Sequence, residues 1–132
     1  MKHEYIPGDL VKETIGGNII QIINNGYHFI NLSNDVNGTL LENEIESIPL
    51  TSEILEKNGW ILSGDSWLLK INNDITLCIL FFKDIVVCYV RATNEVTHKE
   101  HNFQRIKLGE PHYLHQLQHI LFGLGINSEI KI

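Results

Sequence analysis

Turn-forming residues cut the first third of this chain at such short intervals that only brief extended runs fit between them. Gly16-Gly17-Asn18, Asn24-Asn25-Gly26 and Asn37-Gly38 supply the positive φ angles that tight hairpins require. Between them lie 9–12, 19–23, 27–32, 39–41 and 44–48, filled largely by branched residues. Four or five short strands within about 45 residues predict a small, strongly bent β-sheet or barrel whose edges other parts of the chain must close or cover.

Ile48-Pro49-Leu50-Thr51 ends this region, because Pro49 forces the residue before it into an extended conformation. Thr51 is a credible N-cap, Glu53 lies where the helix dipole favours it, and Asn58-Gly59 offers a left-handed stop. A short helix is therefore expected over 52–57. Strands follow at 60–62, 67–71, 75–82, 85–90 and 103–108, with 94–102 as a polar loop between the last two. The 75–82 and 85–90 runs are nearly continuous in apolar residues, as expected at a sheet centre. A two-residue turn at Lys83-Asp84 sets Cys78 opposite Tyr89, whereas a three-residue turn sets it opposite Cys88. Buried, reduced thiols are the expected state.

The stretch 111–124 reads as the one long amphipathic helix, opened by Pro111 and closed by Gly123 and Gly125, and 126–132 alternates like a short edge strand. The fold class expected is α+β: an N-terminal small bent sheet or barrel, a short linking helix, and an antiparallel meander packed on a C-terminal helix. In domain terms this is a β subdomain at 1–48 and an α+β subdomain at 49–132, forming one compact unit.

The chain is long enough, at 132 residues with 43% hydrophobic content, to bury an ordinary core without metal or disulfide support. Its formal charge of −6, from 16 acidic and 10 basic residues, argues against nucleic acid as a partner, since no Lys/Arg cluster could release counterions. The acids are scattered apart from Glu42, Glu44 and Glu46, although an acidic chain can also dock on a basic partner. The opening has no apolar core of signal-peptide length and no run could cross a bilayer, so a soluble, cytoplasmic protein without a membrane partner is expected. The serines show no nucleophile elbow, neither cysteine sits in a catalytic pattern, and the glycines form no phosphate-cradling loop. These absences argue against an enzyme, and no cofactor is implied.

His112, His115 and His119 fall at i, i+3 and i+7 of the long helix, gathered in an arc opposite its leucines at about 100° per residue. They are expected to point away from the core. Such an arc suits a metal, a ligand, a subunit contact or plain solvation. A metal would be closed by Glu110, His98 or His101, but a single-helix cluster is a weak signal and no metal is assigned. His115 with Gln116 and Gln118 could read a planar polar ligand such as a nucleobase, or could tie the helix to nearby backbone. Arg91, Arg105 and Lys107 form a small positive spot that would hold a phosphate or a salt bridge, and Trp67 with Trp60 would stack on a ligand or fill the core. The candidate ligand-binding set is therefore His112, His115, Gln116, Gln118, His119, Arg91, Arg105 and Trp67.

Three segments, Ile6-Pro7-Gly8-Asp9-Leu10-Val11, then 48–60, then Tyr113-Leu114-His115-Gln116-Leu117-Gln118 with its apolar continuation, resemble a family of small uncharacterised proteins from phages and mobile elements of Bacteroidota. The family ending is Tyr-x-His-Gln-Leu-Gln, and His112 and His119 lie outside that pattern. The resemblance implies a genetic setting and no reaction. The expected function is a non-enzymatic phage binding protein that counters host defence by sequestering a small nucleotide-like signal. The alternatives are a module or inhibitor docking on a host protein, self-associated or not, and a metal-dependent hydrolase using the histidine helix.

Overall fold

The computed structural model describes residues 5–24, 28–31, 34, 37–39, 44–92 and 104–132. The Asn25-Gly26 turn, Leu40 and Leu41, Glu42, Phe103 and the 94–102 segment with His98 and His101 lie outside the described residues. The fold is α+β, with two five-stranded antiparallel sheets and two helices. It divides into two compact units: 1–49 with 113–129, and 50–112 with 130–132.

In the first unit, β1 (Leu10–Glu13), β2 (Ile19–Asn24), β3 (His28–Asn31), β4 (Asn37–Thr39) and β5 (Ile45–Ser47) form a sheet in the order β4-β3-β2-β1-β5. Three hairpins build the meander, and β5 returns to pair with β1 on its free side. The register places Val11 opposite Ile20 and Ile22 opposite Phe29, so alternate residues gather on one face. Those side chains, with Tyr5 and Ile45, make the buried cluster of this sheet. Helix α2 (Leu114–Gly123) lies against β1 and buries Leu114, Leu117 and Leu121.

Two boundaries differ from the sequence expectation. The C-terminal helix belongs with the N-terminal sheet and not with the meander, and it begins at Leu114, three residues after Pro111. Tyr113 is held extended at φ −122° and ψ 151° because it bridges Pro49, with Leu114 N–H donating to the Ile48 carbonyl. The expected edge strand over 126–132 is irregular backbone in the structure. Its end is held by the Asn58 carboxamide, which accepts from Lys131 N–H and donates to the Lys131 carbonyl, both at 2.7 Å.

The second unit starts with α1 (Ser52–Lys57), capped by Thr51 Oγ1 accepting from Ile54 N–H and ended at Gly59, whose φ is +88°. Strands β6 (Ile61–Ser63), β7 (Ser66–Lys70), β8 (Ile75–Phe82), β9 (Ile85–Ala92) and β10 (Gln104–Gly109) follow as a meander in the order β10-β9-β8-β7-β6. Lys83, at φ 55°, and Asp84 make a two-residue turn, which sets Cys78 opposite Tyr89 and Cys88 opposite Ile79. Both cysteines are buried free thiols, and burial pushes Cys88 up to about 12. Among the described residues no helix is long and apolar enough to cross a membrane.

Phe29 and Gly38 face each other across β3 and β4, and the aromatic ring lies where a side chain at 38 would stand. A Cβ there would come within 2.7 Å of Phe29 Cζ. Gly38→Ala should therefore destabilise the protein by about 1–3 kcal/mol through overpacking. Gly123→Ala, which meets open space at a helical position, should leave it unchanged or slightly firmer. Chemical denaturation of the two variants beside the wild type checks both expectations.

Candidate functional site

The N-terminal approach to β1 is a tight turn at residues 6–9, in which Asp9 N–H donates to the Ile6 carbonyl and the Asp9 carboxylate accepts from Ile6 N–H at 2.8 Å. Gly8 takes φ +98°, a conformation that L side chains rarely adopt. In that conformation its N–H donates to the Ile22 carbonyl, while its own carbonyl accepts from the Gln21 side chain at 3.3 Å. The turn thereby presents a carbonyl, an N–H and a carboxylate toward α2.

Gln118, buried on α2, answers the first two. Its Oε1 accepts from Leu10 N–H at 2.9 Å, and its Nε2 donates to the carbonyls of Gly8 at 3.2 Å and Ser128 at 3.3 Å. One carboxamide thus joins the turn before β1, the helix, and the chain beyond the helix. At the next residue, His119 Nε2 lies 3.0 Å and 2.8 Å from the two oxygens of the buried Asp9. An ionised carboxylate only accepts, so this contact calls for a proton on Nε2. Burial raises Asp9 above the ordinary carboxylate range, outweighing the lowering by the Ile6 N–H and by His119.

His115 is also inside, at 2% exposure, edge-on to the Tyr5 ring at 4.9 Å and to His119 at 5.5 Å. Its outward placement, expected from the leucine arc, is corrected: the buried arc of α2 is wider than the leucines and takes in His115 and Gln118. Gln116 is spent on the helix start, where its Oε1 accepts from Tyr113 N–H at 3.0 Å. His112 is exposed and precedes the helix, in the second unit. The three imidazoles therefore do not converge, and among the described residues no three His, Cys, Asp or Glu side chains are grouped to hold a metal ion.

The other candidates stand in the second unit. Arg91 and Arg105 are cross-strand partners on β9 and β10, and Lys107 pairs with Glu110 at 3.2 Å. Trp67 is half-buried on β7 opposite Ile79, and Trp60 is core. Asp9 was missed by sequence reasoning, together with the backbone groups of Gly8 and Leu10. The only sequence signal for them was a lone acid between a glycine and an apolar run.

Around the Asp9–His119 pair is a recess of about 20 Å³ lined by Ile6, Pro7, Gly8, Gln118, Phe122 and Ser128. That is room for about one water molecule. Its rim is apolar and open, with Phe122 69% exposed and Ile6 also exposed. Comparison with protein-family models, with curated proteins and with solved structures finds no match for this chain.

Two outcomes follow from this geometry. Gln118→Leu removes the partner of the buried Leu10 N–H and the Gln118 donor to the Ser128 carbonyl, while the Gly8 carbonyl keeps Gln21, at about 1–3 kcal/mol for each group left buried and unsatisfied. The variant should lose about 2 kcal/mol or more in urea denaturation, whereas His112→Ala should be near neutral. Asp9 keeps its proton to higher pH in the folded than in the unfolded state, so stability should fall as pH rises from near 3.8 through its raised folded value. Denaturation midpoints across that window should show this downward slope in the wild type and a flatter one in Asp9→Asn.

Proposed function

We propose that this chain is a non-enzymatic protein-docking module of a phage or mobile element, working in the host cytoplasm on a protein whose contact surface is basic around an apolar anchor. The carrying observation is the exposed Phe122 ring on the rim of a recess whose polar groups are already engaged. A rigid polar floor beneath an exposed aromatic suits an interface hot spot, where a ring is desolvated against a partner pocket. The formal charge of −6 favours encounter with a basic surface. The genetic setting rests on the resemblance described above, whose first and last segments are the two that Gln118 ties together.

Sequestration of a nucleotide-like signal asks for more room than this recess gives, since small-ligand sites enclose about 300–1,000 Å³. The carboxamides that were to read a base are committed to backbone: Gln118 to Leu10, Gly8 and Ser128, and Gln116 to Tyr113. Protein docking is the reading that the exposed rim supports.

Phe122→Glu tests it, because an exposed residue can be changed with stability held within about 0.5 kcal/mol. Immobilised wild-type protein should retain a specific host protein that the Phe122→Glu form releases. A panel of mono-, di- and cyclic nucleotides should leave the melting temperature of the wild type in place. Equal capture by both forms, or a nucleotide that raises the melting temperature, would overturn the reading.

A further inference from the structure

Asparagine followed by glycine occurs three times in the chain, at 25–26, 37–38 and 58–59. The pair is chemically labile, because a glycine without a Cβ lets its main-chain nitrogen reach the carboxamide carbon of the residue before it. In Asn37-Gly38 both residues are held in register against β3, and Asn25-Gly26 lies outside the described residues. Asn58-Gly59 sits on turn backbone at the end of α1, half-buried, where its contact with Lys131 is open to water.

The Asn58 carboxamide does more there than cap a helix. The last carbonyls of α1 already accept main-chain donors: Ile54 and Leu55 from Asn58 N–H at 3.2 Å and 3.1 Å, Leu55 again from Trp60 N–H at 3.0 Å, and Glu56 from Gly59 N–H at 3.2 Å. Nδ2 of Asn58 adds a second donor to the Ile54 carbonyl and reaches the Lys131 carbonyl, both at 2.7 Å. Oδ1 accepts from Lys131 N–H at 2.7 Å. The side chain thus pairs with Lys131 as the peptide unit of a neighbouring strand would, offering a donor and an acceptor side by side. Residues 126–132 are irregular backbone, and this contact fixes Lys131 on α1.

We propose that Asn58 is a deamidation site gated by Lys131, so that release of the 130–132 segment becomes irreversible once the reaction has run. The Gly59 nitrogen gives up its proton and bonds to Asn58 Cγ. The Cγ–Nδ2 bond breaks, and Nδ2 leaves as ammonia. Water then opens the cyclic imide at either carbonyl, leaving an aspartate or an isoaspartate at position 58. While the segment is docked, the carboxamide can turn toward Gly59 only by giving up three hydrogen bonds, and the Gly59 N–H is itself engaged with Glu56. Release of Lys131 removes two of the three. The product carboxylate has no donor for the carbonyls of Ile54 and Lys131, and it places a negative oxygen against both. The C-terminal end of α1 opposes the new charge as well. Docking is therefore lost after the reaction, and the molecule carries a lasting record that the segment has opened.

Peptide mapping by mass spectrometry after incubation at neutral pH tests the gate. Asn58 in the folded wild type should deamidate at least about tenfold more slowly than in the urea-unfolded chain, since the reactive geometry is reached only by local opening. Lys131→Pro, which deletes the N–H donor to Oδ1, should speed the reaction at Asn58 by about threefold or more, and by more than at Asn37 in the same sample. Equal rates at Asn58 in the folded and unfolded chain overturn the proposal, and so does a Lys131→Pro form in which Asn58 gains nothing over Asn37. The irreversible step has its own readout in Asn58→Asp, which stands in for the product. Its Lys131 amide should exchange with solvent at least about tenfold faster than in the wild type, and an amide that keeps its protection contradicts the loss of docking. None of these residues lines the Phe122 recess, so the outcome is independent of the function proposed above.

Discussion

A single buried carboxamide organises the first unit. Gln118 sits on the inner side of α2 and supplies an acceptor to Leu10 N–H and donors to the carbonyls of Gly8 and Ser128. These partners lie up to 110 residues away in sequence, so the bond set closes a loop that spans nearly the whole chain. Turn backbone packed against a helix would otherwise carry unsatisfied groups, each costly in a low-dielectric setting. Glutamine suits the position because it offers donor and acceptor on one planar group without bringing a charge inside.

The charge that is brought inside belongs to Asp9, and the structure surrounds it closely. Ile6 N–H and the His119 ring take both carboxylate oxygens, and Leu10 N–H next door is occupied by Gln118. A buried acid paired in this way costs stability when ionised, yet its removal would strand the imidazole beside it. The turn, the acid and the carboxamide therefore act as one network that fixes the helix on the sheet. With the polar side chains drawn inward, what α2 leaves on its rim is apolar, and Phe122 is the most exposed of it.

Much of the architecture was legible in the sequence, because its signals were local. Thr51 at the N-cap, Gly59 past the C-cap and a tight turn near Lys83-Asp84 each depend on the conformational limits of a few neighbouring residues, whereas Asn37-Gly38, expected as a turn, lies inside β4 because both residues pair with β3. The site was legible only in part. Reading α2 by its leucines placed His115 and Gln118 outside, since a helical wheel registers side-chain polarity and has no view of backbone donors about a hundred residues away. At about 100° per residue Gln118 lies only about 40° from Leu114, close enough to be covered once the turn at 6–9 folds over it. The early start expected from Pro111 failed for a related reason, as the Pro49–Tyr113 bridge draws Tyr113 into an extended conformation. The grouping of α2 with the first sheet was equally non-local, resting on its approach to β1.

Native-state amide exchange at Leu10 measures the central contact most directly. Leu10 N–H begins β1, and its acceptor is the Gln118 carboxamide. The account predicts that this amide is protected to the same degree as the amides of α2, and that Gln118→Leu brings its exchange to the rate of an open turn while the β1–β2 amides stay slow. A Leu10 amide that exchanges at open-turn rates in the wild type, or one that keeps its protection without Gln118, would contradict it.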